Sequence, residues 1–590
     1  MPDQKNLILA IALSIAIVLG FEFLYNLPRQ ERERALQAER AAREAPAQVQ
    51  QPGAVPPGAP AVPGQAAAPG APAAPGAAAI RSRAEVIAGQ PRVRIESPRV
   101  QGSILLRGAR FDDLLLTAYR ETVDPQSAAI TLLAPLGTAN PYFAQYGWVA
   151  TDSAVAVPGD DTLWTADRET LGPGQPVTLT WDNGQGLRFE RRIALDANYM
   201  FTVTDRVANS GTAPVQLSSY GLVQRVGTPH TEGFYILHEG PVGVFNNTLR
   251  EYSYSDLRGA RVEQRSAGGW LGFTDKYWLV ALVPNQAGEK TERLMHIPGA
   301  TERYQIDVTA GAESVAPGAT VEVTNRLFAG AKEVHLLDRY AGELNIPLFD
   351  RAIDFGWFYF LTRPIFLILE FFNRILGNFG LAIMLLTVII KGIFFPLANK
   401  SYRAMSKMKL LQPEMEKLRE KYGDDRQKLS QAMMELYKKS GANPLAGCLP
   451  IVVQIPVFFA LYKVLFITIE MRHAPFYGWI RDLSAPDPTS IFNLFGLLPF
   501  APPEFLPHLG LWPVIMGATM FLQQKLNPQP ADPVQARIFL FMPLIFTFML
   551  GSFASGLVIY WAWNNLLSIA QQWVIMRQAA QQAHAHPAKS

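Results

Sequence analysis

The chain has 590 residues, 49% hydrophobic and 17% charged, with a net charge of only +3. That balance is too weak to argue for a nucleic-acid partner, and the single cysteine, Cys448, excludes an intrachain disulfide. No phosphate-binding glycine loop, zinc spacing or nucleophile elbow occurs, so neither a metal nor any other cofactor is expected.

The average hides two different regions. Leu7 to Leu24 is apolar apart from Ser14 and Glu22, long enough for a thin membrane span. A cleaved signal peptide is the competing reading, but Tyr25 to Arg34 offers charges rather than a small-residue cleavage site, which favours an uncleaved anchor over residues 1–27. Residues 28–80 form a linker. Its first part mixes Arg and Glu at helical spacing, and then 27 of the 34 residues from Pro46 to Ala79 are Pro, Ala or Gly, a semi-stiff tether.

From Arg92 to Leu336 the pattern becomes short alternating runs such as VRIES, FTVTDRV and TVEVTNRLF, broken by Gly, Pro, Asn and Asp. These predict a large antiparallel β-sandwich, within a domain bounded at 81–350. Asp160, Asp161, Trp181, Trp270 and His238 are scattered through it without a spacing that marks a general acid and base.

Phe355 to Leu376 carries Arg363, Glu370 and Arg374 on one face of an apolar helix. An interfacial amphipathic helix (355–376) fits this better than a spanning one, although both remain open. Further spans are predicted at 378–398, 446–467, 509–526, 537–553 and 557–577, in addition to 7–25. Residues 400–439 hold eleven Lys or Arg, which makes that loop cytoplasmic, and alternation then puts the sandwich outside and both termini inside.

The informative residue is Lys391, a cation inside the apolar run Phe379 to Leu397. A Lys at a helix centre is unfavourable by about 2.5 to 3.5 kcal/mol, and such residues usually face a wet cavity or a polar partner. Snorkelling toward the headgroups is the alternative, because Lys400 lies only roughly 14 Å of helix further on. Thr387 shares the helical face of Lys391. Gln454, Thr519, Gln523, Asn564, Ser568 and Gln571 add polar groups to the later spans, so the joint pattern predicts one hydrated concavity in residues 377–577. Interhelical hydrogen bonding would explain any one of them singly.

In the loop 400–440, Met405, Met408, Leu411, Met415 and Leu418 make one apolar stripe, predicted as a continuous helix over 400–421. Gly423 ends it, Asp424 and Asp425 cap a second helix with Leu429, Met433 and Leu436, and the two form a hairpin. The stripes either bury each other or meet hydrophobic clients through adaptable methionines.

The stretch IIKGIFFPL, the basic hairpin ending in NPLAGCLPIVVQIPVFFALY, and SGLVIYWAWNN resemble the YidC/Oxa1/Alb3 membrane protein insertases, and the tether with its large sandwich resembles the Gram-negative form. This resemblance implies a multi-pass α-helical inner-membrane protein, with a five-helix insertase core, an N-terminal anchor helix and a periplasmic, mutarotase-like super-sandwich without sugar chemistry. It also implies a noncatalytic insertase and chaperone for nascent membrane proteins, acting alone or with the Sec translocon, in contact with membrane lipids. Lys391 stands where the family usually has Arg. Thr387 would be its groove companion, and Ile455, Phe458, Tyr560 and Trp561 fall where the family contacts the client helix; Gln454 and Gln523 are placed in the groove by the polar pattern of the spans instead. The tail 578–590 has little positive charge beyond Lys589, so any ribosome contact falls on the hairpin. An ion-coupled transporter titrating Lys391 and a carbohydrate-binding envelope protein are the rival readings.

Overall fold

The computed structural model describes residues 80–585 except 232–236, 357, 424, 442–448, 501–502, 504–508 and 528–532. The expected anchor, charged helix and tether, as well as Cys448, lie outside the described residues. Residues 92–331 form a β-sandwich of one 11-stranded and one 9-stranded sheet. The predicted alternation falls on the strands Arg92–Glu96, Met200–Asn209 and Thr320–Ala331. Pairing is antiparallel throughout the named strands except where Arg94 lies beside Thr170 and Ile95 beside Leu171, in parallel.

Phe201, Val203 and Val207 point into the core, and Asp205 shares their face. The buried carboxylate is tolerated because Arg191, its direct cross-strand partner, reaches it at 2.6 Å. Arg293 and Asp307 repeat the arrangement in the other sheet, again at 2.6 Å.

The described helices are α1 Arg83–Ala88, α2 Tyr254–Gly259, α3 Val334–Glu343, α4 Tyr359–Leu376, α5 Phe379–Ile393, α6 Phe395–Leu410, α7 Gln412–Tyr422, α8 Arg426–Ser440, α9 Leu449–Ile467, α10 Leu511–Leu526, α11 Pro533–Leu550 and α12 Ser555–Ala585. In the C-terminal half α4 packs on α5 and α9, α10 lies between α11 and α12, and α12 also meets α5, α6 and α9. A Cβ at Gly517 would overlap Thr547 Oγ1, so the close approach of α10 and α11 requires glycine there.

Three expectations change. The predicted span 378–398 is not one helix: the chain bends by 68° between α5 and α6 at Phe394, because Pro396 opens α6 and has no N–H to continue α5. Among the described residues no single helix is long and apolar enough to cross a membrane; the bent pair α5 and α6 is, taken together. The helix expected over 400–421 likewise breaks at Leu411, with Pro413 in the first turn of α7. Finally, much of the charged face of α4 is turned to α3, the helix that follows the sandwich. Arg363 pairs with Asp338 at 2.7 Å and Glu370 with His335 at 2.6 Å, while Arg374 stays exposed.

The segment after α9 completes this junction. Glu333, the N-cap of α3, makes no side-chain cap bond; instead Glu470 Oε1 accepts the Val334 N–H at 3.1 Å. Burial pushes the Glu470 carboxyl up to about 7. Arg472 donates to the Arg120 carbonyl at 2.6 Å and lies over the Trp278 ring. Lys463 pairs with Asp354 at 2.8 Å, and one continuous apolar core runs from the sandwich into the helices.

Candidate functional site: a cationic cavity among the C-terminal helices

Asn378 caps α5 by accepting the Leu381 N–H, and Phe379, Ala382, Ile383 and Leu386 form its buried stripe. The bend at Phe394 puts Lys391 in the last turn of α5 rather than at the middle of a straight span. A helix C-terminus carries partial negative charge, which favours a cation. Lys391 is half-buried and donates to Ser568 Oγ on α12 at 2.7 Å; Ser568 in turn donates to the Asn564 carbonyl at 2.8 Å. Among the described residues no carboxylate pairs with Lys391, and residues 379–413 contain no Asp or Glu at all.

Lys391 lines a cavity with 430 Å³ of empty space, counting its open mouth. Phe394, Leu397 and Val457 form apolar walls, and Tyr402, Gln454 and Gln571 supply polar groups. Gln454 donates to the Tyr560 hydroxyl, which fixes the α9 amide against α12. Gln571 Nε2 and Asn564 Oδ1 are buried without a partner. Buried amide groups in this condition are costly unless something polar visits them.

The predicted residues therefore separate. Lys391 and Gln454 share the cavity. Thr387 does not: it is buried, and its hydroxyl donates back to the Ile383 carbonyl at 2.7 Å, a local bond that uses up its polarity within α5. Gln523 is half-buried on α10 and outside the lining. Other polar groups of that region knit α10 to α12, with Asn565 donating to Thr519 at 3.3 Å and Gln572 to the Leu526 carbonyl at 3.3 Å. One expected concavity is thus a cavity on one side of α12 and an interhelical seam on the other.

Of the expected client contacts, only Ile455 is well exposed, alongside Phe459, which the sequence reading omitted. Tyr560 is 2% exposed, its hydroxyl held by Gln454. Phe458 and Trp561 are half-buried and meet edge to face, with centroids 4.8 Å apart. Tyr402 was also missed, because its place among Lys and Arg marked it as hairpin. The signal available was its spacing of four from Ala398, which continues the apolar face beyond the bend.

In the hairpin, Met405 packs against Ala398, Tyr402 and Ile575, while Met408 is half-buried. Tyr437 donates to Met415 Sδ at 3.7 Å, and Met433 is buried. Asp425 caps α8 by accepting from the Gln427 and Lys428 N–H groups.

Residues 92–368 match the YidC periplasmic domain, and residues 371–582 match the 60Kd inner membrane protein family. The membrane protein insertase YidC of Methylorubrum extorquens (strain PA1) is 54% identical over 592 residues, covering 98% of this chain and 95% of that protein. The corresponding protein of Rhizobium meliloti (strain 1021) is 53% identical over 584 residues, covering 98% and 96%. A solved structure of an active YidC insertase with its first transmembrane domain resolved is 18% identical, with a TM-score of 0.35, covering 82% of this chain and 92% of that one.

Proposed function

Because this chain belongs to the YidC membrane protein insertase family, we propose that it inserts nascent inner-membrane proteins by drawing their polar flanks through the Lys391 cavity. The observation that carries this reading is a half-buried ammonium group with a hydroxyl partner and no carboxylate. An unneutralised cation in a low-dielectric site attracts an acidic side chain far more strongly than one on a wet surface. Gln454 and Gln571 supply amide groups that can replace part of the hydration lost by an entering polar segment. Ile455 and Phe459 offer the adjoining apolar face to a client helix, which then gains by burial in lipid. No covalent step is needed.

In this reading both termini and the 400–440 hairpin are cytoplasmic, the sandwich is periplasmic, and Phe360, Phe371 and Ile375 turn α4 toward lipid. The hairpin would receive clients from the ribosome, and the Sec translocon would share some of them.

The test compares Lys391→Ala and Lys391→Arg in cells depleted of the native protein, using clients whose translocated segment is acidic or neutral. The Ala variant is expected to lose insertion of the acidic client and keep the neutral one, with Arg restoring both. Equal insertion of both clients by Lys391→Ala would overturn the role.

A further inference from the structure

Between α9 and α10 the chain forms a loop whose tip is apolar and outward-facing. Seven successive residues, Leu494 to Phe500, are exposed, and Leu497 is 83% exposed. No charged residue occurs from Pro488 to Pro503. A water-facing loop of this size ordinarily carries polar side chains and leaves its backbone donors to solvent.

This loop does neither. Every N–H from Phe495 to Phe500 has an acceptor inside the loop: Phe495 donates to the Ser490 carbonyl at 2.7 Å, Leu497 to Leu494 at 3.3 Å, Leu498 to Asn493 at 3.1 Å and Phe500 to Leu498 at 2.9 Å. Gly496 donates to Asn493 Oδ1 at 3.0 Å, and Pro499 has no N–H. Asn493 closes the ring by donating its amide to the Phe500 carbonyl at 3.2 Å. Internal satisfaction of backbone donors is the condition hydrocarbon imposes and water does not. The tip also holds Leu494 and Phe495 at φ 51° and 59°, a left-handed pair that non-glycine residues rarely adopt. Such strain persists only where the surroundings enforce it.

The base is pinned to α10. Asp487 accepts from the Trp479 indole N–H at 3.0 Å and the Trp512 backbone N–H at 2.9 Å, and Ile491 N–H donates to the Leu509 carbonyl at 2.9 Å. Tyr477 and Trp479, both exposed, flank this base. Amphipathic aromatics next to a wholly apolar tip give the depth order of a membrane interface, with headgroups at the base and acyl chains at the tip.

We propose that residues 491–500 are a lipid-inserting wedge that occupies the hydrocarbon of the leaflet on the sandwich side, beside the start of α10. Its side is fixed by Glu470 and Arg472 of the same connection, which touch the sandwich. Its occupant is the acyl-chain region rather than a second copy of the chain, since saturated donors and a charge-free tip suit a featureless apolar solvent and offer a protein partner no polar register.

The experiment places an environment-sensitive fluorophore on Leu497→Cys in the full chain with Cys448→Ser, reconstituted in phosphatidylethanolamine and phosphatidylglycerol vesicles, with Val123→Cys on the sandwich as the aqueous reference. The label at 497 is expected to emit at shorter wavelength, to lose most of its emission to brominated acyl chains and to ignore iodide; the label at 123 should do the reverse. Adding Asn493→Ala, which frees the Gly496 N–H, should shift the 497 label toward the aqueous behaviour. Iodide quenching at 497 equal to that at 123, without quenching by brominated lipid, would overturn the wedge. So would a pyrene excimer at 497 that survives dilution of the protein in lipid, which would assign the tip to a second copy.

Discussion

Arg191 and Arg293 of the sandwich and Lys391 of the helical half are cations drawn out of bulk water, and their surroundings treat them in opposite ways. Arg191 and Arg293 each lie opposite a carboxylate at 2.6 Å in a strand register that leaves the pair no freedom. Lys391 has a serine hydroxyl and an open cavity. A neutralised buried charge fixes a fold, whereas one left without a counter-charge stays available to whatever enters. In the proposed function, that difference is what makes the Lys391 cavity the place where a client is met.

The contrast breaks most visibly on stability. Asp205→Ala strands Arg191 in the core and should destabilise the sandwich by about 3 to 5 kcal/mol, read by chemical denaturation of the full chain. Lys391→Met should leave the denaturation midpoint unchanged or raise it, because it removes an unpaired charge. A loss matching that of Asp205→Ala would mean that Lys391 is structural after all. Next in size, Tyr560→Phe deprives the Gln454 amide of its acceptor and should cost roughly 1 kcal/mol, measured the same way, with crosslinking at Ile455 retained.

Glu470 gives the junction between the two halves a pH dependence. Its folded carboxyl titrates at about 7, above the ordinary carboxylate value, so it contributes fully where both states are protonated, and the contribution is lost as pH rises through the folded value. Thermal unfolding in nanodiscs should therefore show a midpoint higher near about pH 5 than near about pH 8. Glu470→Gln, neutral at both, should flatten the profile. The smallest effect on function belongs to Thr387→Val, expected to insert acidic clients normally, because its hydroxyl serves only its own helix. An insertion defect there would return Thr387 to the cavity.

The sandwich was legible because period-two alternation depends on near neighbours alone, and VRIES, FTVTDRV and TVEVTNRLF each fall on a strand. Nothing local announced that Asp205 would face inward, since its licence comes from Arg191 across a register set by the fold. Lys391 stood out through composition, but its partner Ser568 is 177 residues away. Helical spacing put Thr387 on the right face without revealing that its proton was already spent on Ile383. Pro396 and Pro413 were visible breaks that apolar periodicity masked. Polar residues on α12 were all legible as polar; which neighbour each one meets depends on rotation about the helix axis, and only packing fixes that.

The cap on α3 carries a consequence for the order of events during synthesis. Val334 receives its acceptor from Glu470, which is 136 residues later in the chain. At roughly 5 to 20 residues per second, that carboxyl leaves the ribosome on the order of ten seconds after the strands are complete. Until then water alone can accept from the Val334 N–H, so the first turn of α3 lacks a cap worth about 1 kcal/mol and frays more readily in a molecule stalled before Glu470 emerges.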